Sequence, residues 1–363
     1  MAAPLRGATT DDDALTRPSP ALAADPAALG TPRLLQEGLL ATAMPPPRAD
    51  APGRAAWLSP NRVALISNPR SHRNKRTGIT IPSDDLTRLV ETPRSPAELA
   101  AALARFAATG IDLLVIDGGD GTVRDVLTAA AHCFDALPPL AIVPSGKTNA
   151  LAIDLGVPSS WTVRDAIVAA RAGRFVKRAP VEVTRAGEAY PDVRGFLFGA
   201  GAFVRATRLA QRTHRAGAFK GLAVGLSLTL AIGKTLFGSK SSVWRAGERM
   251  RLRIDGGAEH DQDLYILFGT TLENLPLGLK PLGHVRPGLK LLTIDAPPKA
   301  MTLNVPALLA GSESPRLERA GYHRNDARSF DVTLDGEFIL DGEHYPGGVL
   351  TVATGAPLAF AVP

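Results

Sequence analysis

Three short stretches of the chain carry residue types suited to handling phosphate. The first is Gly118-Gly119-Asp120-Gly121-Thr122, just after an apolar run at 112–116. Glycines let a backbone approach an anion closely, and a helix beginning there adds free N–H groups and the positive end of its dipole. Asp120 would repel phosphate, so it suits a partner for phosphate-bound Mg2+, direct or through water, or a base for a hydroxyl. A tight turn with the aspartate as helix cap accounts for the same residues equally well. The second stretch, Pro144-Ser145-Gly146-Lys147-Thr148-Asn149, looks like the Gly-Lys-Thr of a Walker A loop. The earlier glycine of that loop would fall at position 141, which is Ala141, so the P-loop reading fails. What survives is a lysine, two hydroxyls and an amide at a helix start, a good anion cradle. The third, from Asn68-Pro69-Arg70 to Arg76, is polar and basic. Alone it reads as a solvated loop, but three such loops at one sheet edge favour a nucleotide site.

The elements that must position these loops follow from the apolar pattern. Runs at 63–67, 112–116 and 140–143 read as short buried strands. Residues 95–108 read as a helix with Ser95 as N-cap, Pro96 at the first helical position and Glu98 in the capping-box position. Helices are also expected at 122–132 and 149–155. Strands alternating with helices predict a doubly wound parallel sheet, in which ligands bind at the carboxyl ends of the strands. After Lys177, alternating stretches at 181–184, 250–254, 264–268, 289–294 and 330–334 predict a mainly antiparallel β domain. Residues 219–237 are apolar, but only 221–233 are free of charge, and a bilayer-spanning helix needs about 20 residues. That segment is expected to be buried or to lie on a membrane surface. The expected organisation is a disordered Pro/Ala-rich leader at 1–57, an α/β domain at 58–179 and a β domain at 180–363, whose final strands are free to return to the first domain.

The chain has 363 residues, 41 Lys plus Arg against 35 Asp plus Glu, and one cysteine. This length excludes a small disulfide scaffold, and Cys133 alone supplies neither an intrachain disulfide nor a cysteine-rich zinc site. Between Arg205 and Arg253 all ionised side chains but one, Glu248, are basic. A concentrated basic segment seeks an anionic partner. Nucleic acid is the weaker candidate, because aromatics make only 5% of the chain and no recognised binding motif accompanies the charges.

Asn-Pro after the first strand, Gly-Gly-Asp-Gly-Thr, and the Pro-x-Gly-x-x-Asn of 144–149 together resemble the diacylglycerol kinase catalytic-domain family. That family includes bacterial lipid kinases and the sphingosine and ceramide kinases. The Gly-Gly-Asp-Gly-Thr motif is shared with NAD kinases. The 219–237 segment, the glycine-rich stretch 196–201 and Asp341-Gly342-Glu343 resemble the lipid kinases. The resemblance implies an α/β, NAD-kinase-like doubly wound nucleotide domain, followed by an antiparallel β-sandwich domain, with transfer of the ATP γ-phosphoryl group to a lipid hydroxyl in the cleft between them. It implies ATP contacts from Asn68, Thr92, Gly118, Gly119, Asp120, Gly121, Thr122, Val123, Arg124, Gly146, Lys147, Thr148 and Asn149. It also implies a proton acceptor at Glu343 with Asp341 beside it, and Asp120 as the carboxylate toward ATP-bound Mg2+ or another divalent cation. The motif Asp-Gly-Glu occurs twice; the copy at 341–343 is assigned because a short loop and apolar terminal strands follow it, and the copy at 335–337 is expected in a β-turn. Three departures stand out. Lys147 and Ala150 replace the family's threonine and aspartate, Asp125 replaces a glutamate, and 285–288 lacks the acids that hold a structural Mg2+ in some members. A lipid acceptor gives the basic segment 205–253 an anionic membrane surface as its partner, and implies a cytoplasmic protein held peripherally at the inner face. The alternatives are an NAD kinase and a non-catalytic ATP-binding lipid sensor.

Overall fold

The computed structural model describes residues 62–77, 87–215 and 245–363. The expected leader at 1–57 and the apolar segment at 219–237 lie outside them.

The first sheet is built from β1 (Val63–Ser67), β2 (Thr87–Glu91), β3 (Leu113–Gly118), β4 (Leu140–Pro144) and β5 (Phe175–Arg178), joined by the last strand of the chain, β15 (Leu358–Ala361). Its order is β2-β1-β3-β4-β15-β5. β1, β3 and β4 are buried along their whole length, the continuous apolar pattern of parallel strands covered on both faces. β15 runs parallel to β4 and antiparallel to β5, so the chain leaves this domain and comes back to complete it.

A single turn, α1 (Asn74–Thr77), and helices α2 (Pro96–Thr109), α3 (Asp120–Ala130), α4 (Ala150–Asp154) and α5 (Val163–Arg171) accompany the sheet. α2 begins where its residues predict: the Ser95 hydroxyl accepts from Glu98 N at 3.2 Å. The Glu98 carboxylate accepts from Arg94 N at 2.7 Å, one residue earlier than a standard capping box. α5, absent from the sequence reading, starts at a full capping box between Thr162 and Asp165.

The second domain is a nine-stranded antiparallel sheet: β6 (Val181–Arg185), β7 (Val193–Gly195), β8 (Leu197–Gly201), β9 (Glu248–Ile254), β10 (Glu259–Thr270), β11 (Leu289–Asp295), β12 (Tyr322–Ala327), β13 (Ser329–Leu340) and β14 (Glu343–Thr354). β8 and β9 lie end to end between β10 and β13, each pairing with both long strands. The sheet wraps its inner face around one core that includes Phe198, Leu252, Leu267, Phe330, Phe338 and Leu350. After β8, α6 (Ala202–Arg215) carries the first cations of the basic segment. α7 (Met301–Leu309) and α8 (Pro315–Arg319) cover the outer face of β10 to β12 with Met301, Val305, Leu308 and Leu317.

Candidate functional site

The carboxyl ends of β1, β3 and β4 lie side by side, and backbone bonds lace their loops together. Asn68 N donates to Asp117 O at 2.9 Å, Ser145 N to Gly118 O at 3.0 Å and Arg73 N to Ser145 O at 2.9 Å. The Asn68 amide donates to the Thr122 hydroxyl at 2.9 Å, tying the first loop to the glycine turn. The two glycine turns touch: a Cβ on Gly119 would lie 2.9 Å from Gly146 Cα, and one on Gly146 would lie 2.5 Å from Gly119 Cα. These two glycines are therefore needed for one turn to pack on the other.

Part of the basic loop serves the fold. Asn74 Nδ2 donates to buried Asp117 at 2.8 Å, and Arg73 stands 3.6 Å from the other carboxylate oxygen. Arg70 remains exposed at the cleft.

Gly119 is the N-cap of α3, so Asp120 is the first helical residue and not the cap. Its carboxylate reaches to the start of α4, where Leu151 N donates to Oδ1 at 3.3 Å. Burial raises the Asp120 pKa, against the backbone N–H groups of Leu151, Ala150 and Asn149. Part of the cradle expected to face phosphate thus faces Asp120. Asn149 adopts φ 51° and folds its amide onto Gly146, accepting from Gly146 N at 2.9 Å and donating to Gly146 O at 3.2 Å. Lys147 is exposed and Thr148 half-buried at the tip of that turn. Thr92 is exposed one residue beyond β2. Val123 is buried in the core of the first domain, which leaves only its backbone to the loop.

The turn expected at the first Asp-Gly-Glu copy lies at the second instead. The copy at 335–337 is inside β13, at a register irregularity between Leu334 and Glu337, and not in a turn. Glu337 there pairs with Arg208 of α6 at 2.5 Å and with His344 at 2.9 Å. Asp341 and Gly342, at φ 47° and 82°, form the two-residue hairpin turn between β13 and β14. Positive φ at both positions is what a type I′ hairpin needs, and Asp-Gly supplies it.

The Asp341 carboxylate turns inward to accept from Phe196 N at 3.1 Å and Leu197 N at 2.9 Å. A Cβ on Gly195 would collide with it and with the Leu340 side chain, so glycine permits this approach. Burial, and then the charge of Asp120, push Asp341 up to about 7, while Arg124 and the two amides pull it down. The hairpin of the second domain therefore brings Asp341 into electrostatic range of Asp120 at the glycine turn. Glu343 is exposed at the start of β14, two residues from Tyr345 and on the same side of the strand. Tyr345, Asn68, Arg94, Thr122, Asp125 and Asp192 line a cleft of about 200 Å3 at the seam of the domains. Sequence reasoning missed Tyr345 and Asp192; period-two alternation from Glu343 was the signal for the first.

Among the described residues no three His, Cys, Asp or Glu side chains gather as a metal site. Asp120 still fits Mg2+ that arrives with a nucleotide, since that ion takes one or two carboxylates plus phosphates and water. Against the 285–288 stretch, which lacks acids, buried Lys290 donates to the carbonyls of Arg286 at 3.0 Å and Gly288 at 2.9 Å. Burial lowers its pKa to about 8.

Residues 62–183 match the family model of the diacylglycerol kinase catalytic domain. The resemblance drawn from the motifs thus holds for that segment. The chain is 43% identical over 53 residues to a "probable lipid kinase YegS-like" protein of Stenotrophomonas maltophilia, covering 14% of this chain and 17% of the relative. It is 28% identical over 109 residues to the "probable lipid kinase YegS" of Escherichia coli, 30% of this chain and 32% of the relative. These matches span a third or less of the curated relatives' length. The whole fold is similar to the crystal structure of a diacylglycerol kinase from Bacillus anthracis, with TM-score 0.60 and 13% identity over 84% of this chain and 98% of that one.

Proposed function

We propose that the protein is an ATP-dependent lipid kinase, transferring the γ-phosphoryl group to the hydroxyl of a diacylglycerol, ceramide or sphingoid-type lipid. The observation that carries this reading is the Asp341-Gly342 hairpin of the second domain, whose inward carboxylate lies within electrostatic range of Asp120 at the glycine turn of the first. A cleft of about 200 Å3 is smaller than the ~300–1,000 Å3 that encloses a drug-sized ligand, so it takes part of the nucleotide and the polyphosphate runs along the turns. Asn68, Thr92, 118–123 and 146–149 bound that path, with exposed Lys147 set to neutralise phosphate.

Glu343 takes the proton of the lipid hydroxyl as its oxygen bonds to the γ-phosphorus and the bond to the departing ADP oxygen breaks. Asp341, with both its carboxylate oxygens engaged by backbone amides, holds the hairpin in place. Mg2+ bound with ATP, beside Asp120, would neutralise the charge on the phosphates. The basic segment 205–253 meets an anionic membrane surface at about 1 kcal/mol per cation, and this places the enzyme peripherally on the cytoplasmic face. No helix among the described residues is long and apolar enough to cross a membrane.

Glu343→Gln and Asp120→Asn test the assignment. Loss of a positioned acid or base lowers kcat by about 10²–10⁴-fold. Lipid phosphorylation at the wild-type rate in both variants would overturn the mechanism.

A further inference from the structure

Arg124 is grouped with the nucleotide contacts by resemblance, yet its surroundings give it another task. It follows Asp120 by four residues in α3, so the two side chains share one helix face. It is 7% exposed. Its three guanidinium nitrogens all point at protein groups. Nη1 donates across the domain seam to Leu340 O at 3.4 Å, and Nε and Nη2 donate to Asp125 Oδ1 at 3.1 and 2.7 Å. The guanidinium carbon lies 6.0 Å from the centroid of the Tyr345 ring. Leu340 is the last residue before the Asp341-Gly342 turn, and Glu343 is the first after it.

We propose that Arg124 is a positioning residue for phosphoryl transfer, fastening the helix that carries Asp120 to the hairpin that carries Asp341 and Glu343. This inference rests on the lipid-kinase reading. The chemistry of the side chain suits the task, because a rigid planar fork holds a carbonyl and a carboxylate at once, which a lysine ammonium on a flexible stem does not. A second tie, from Arg194 N to the Thr128 hydroxyl at 3.0 Å, anchors the same helix one turn further on. The Arg124 tie is therefore the one that acts at the site, and Thr128 maintains general docking without it. Misplacing catalytic groups by about 1 Å costs about 100-fold in rate.

The test uses the full chain with Arg124→Gln and Arg124→Lys. It combines calorimetric titration with MgATP, steady-state kinetics on the lipid acceptor, and amide hydrogen exchange. In both variants the Kd for MgATP is expected to stay within about twofold. The kcat is expected to fall about 10- to 100-fold. Exchange is expected to quicken at 196–197 and 340–345 while β1 keeps its protection, which also shows that the variants fold. Weakened MgATP binding with unchanged kcat would return Arg124 to the nucleotide contacts and overturn the proposal. So would unchanged exchange at the hairpin. Should the wild-type protein phosphorylate no lipid, the functional reading fails on its own, and the exchange data still decide whether Arg124 fastens the hairpin.

Discussion

Asp341 is the residue on which the site's chemistry and stability meet. Its ordinary value is 3.8, and burial, with Asp120 nearby, lifts it to about 7 in the folded protein. Between those values the folded state holds a proton that the unfolded chain has released, so stability falls as pH rises through that window, and the loss is complete above the folded value. Asp341→Asn removes the titration. Without nucleotide, its Tm relative to wild type is expected to climb from about pH 4 to about pH 8; a constant difference would show that the carboxyl is not raised. The residue types were readable at this scale and the partners were not. Asp120 suggested a metal ligand or a cap, and nothing local announced that the amide groups facing it come from 149–151. Lys147 sits exposed on its turn as a phosphate contact requires, and Lys147→Ala is expected to raise the KM for ATP.

At the scale of elements, apolar runs and capping residues located β1, β3, β4 and α2, because those signals are local. The Asp-Gly-Glu copies show where local reading stops. Either Asp-Gly pair can make a hairpin turn, and the choice is made by long-range pairing: Leu340 opposes Glu343, whereas the first copy meets Arg208 and Glu248 at a strand irregularity. Contact between the two glycine turns was likewise invisible, since Gly119 and Gly146 are far apart in sequence. A methyl group on either must force the turns apart, at about 1–3 kcal/mol. Gly119→Ala and Gly146→Ala are expected to weaken MgATP binding about tenfold or more, measured by calorimetry, and retention of full affinity would contradict the packing role.

The whole molecule depends on how its two domains are joined. Asp154 of α4 is fully buried at the seam, pairing with Arg178 at 2.7 Å and accepting from the backbone of Glu273 at 2.8 Å and of Asn274 at 2.6 Å. Removing one partner of a buried ion pair costs about 3–5 kcal/mol. Asp154→Ala is expected to show that loss in denaturant unfolding; a change under about 1 kcal/mol would mean the seam is held elsewhere. This network joins residues from 154 to 274 and could not have been read from the sequence, although two domains could. The central claim is that both domains meet to phosphorylate a lipid. It is tested most directly by incubating the purified full chain with γ-labelled ATP and Mg2+, in separate reactions with mixed vesicles of diacylglycerol, ceramide and sphingosine, and with NAD. The account predicts label in a lipid product, none in NADP, and loss of that product with Glu343→Gln. Label in NADP, or no transfer to any lipid, would contradict it.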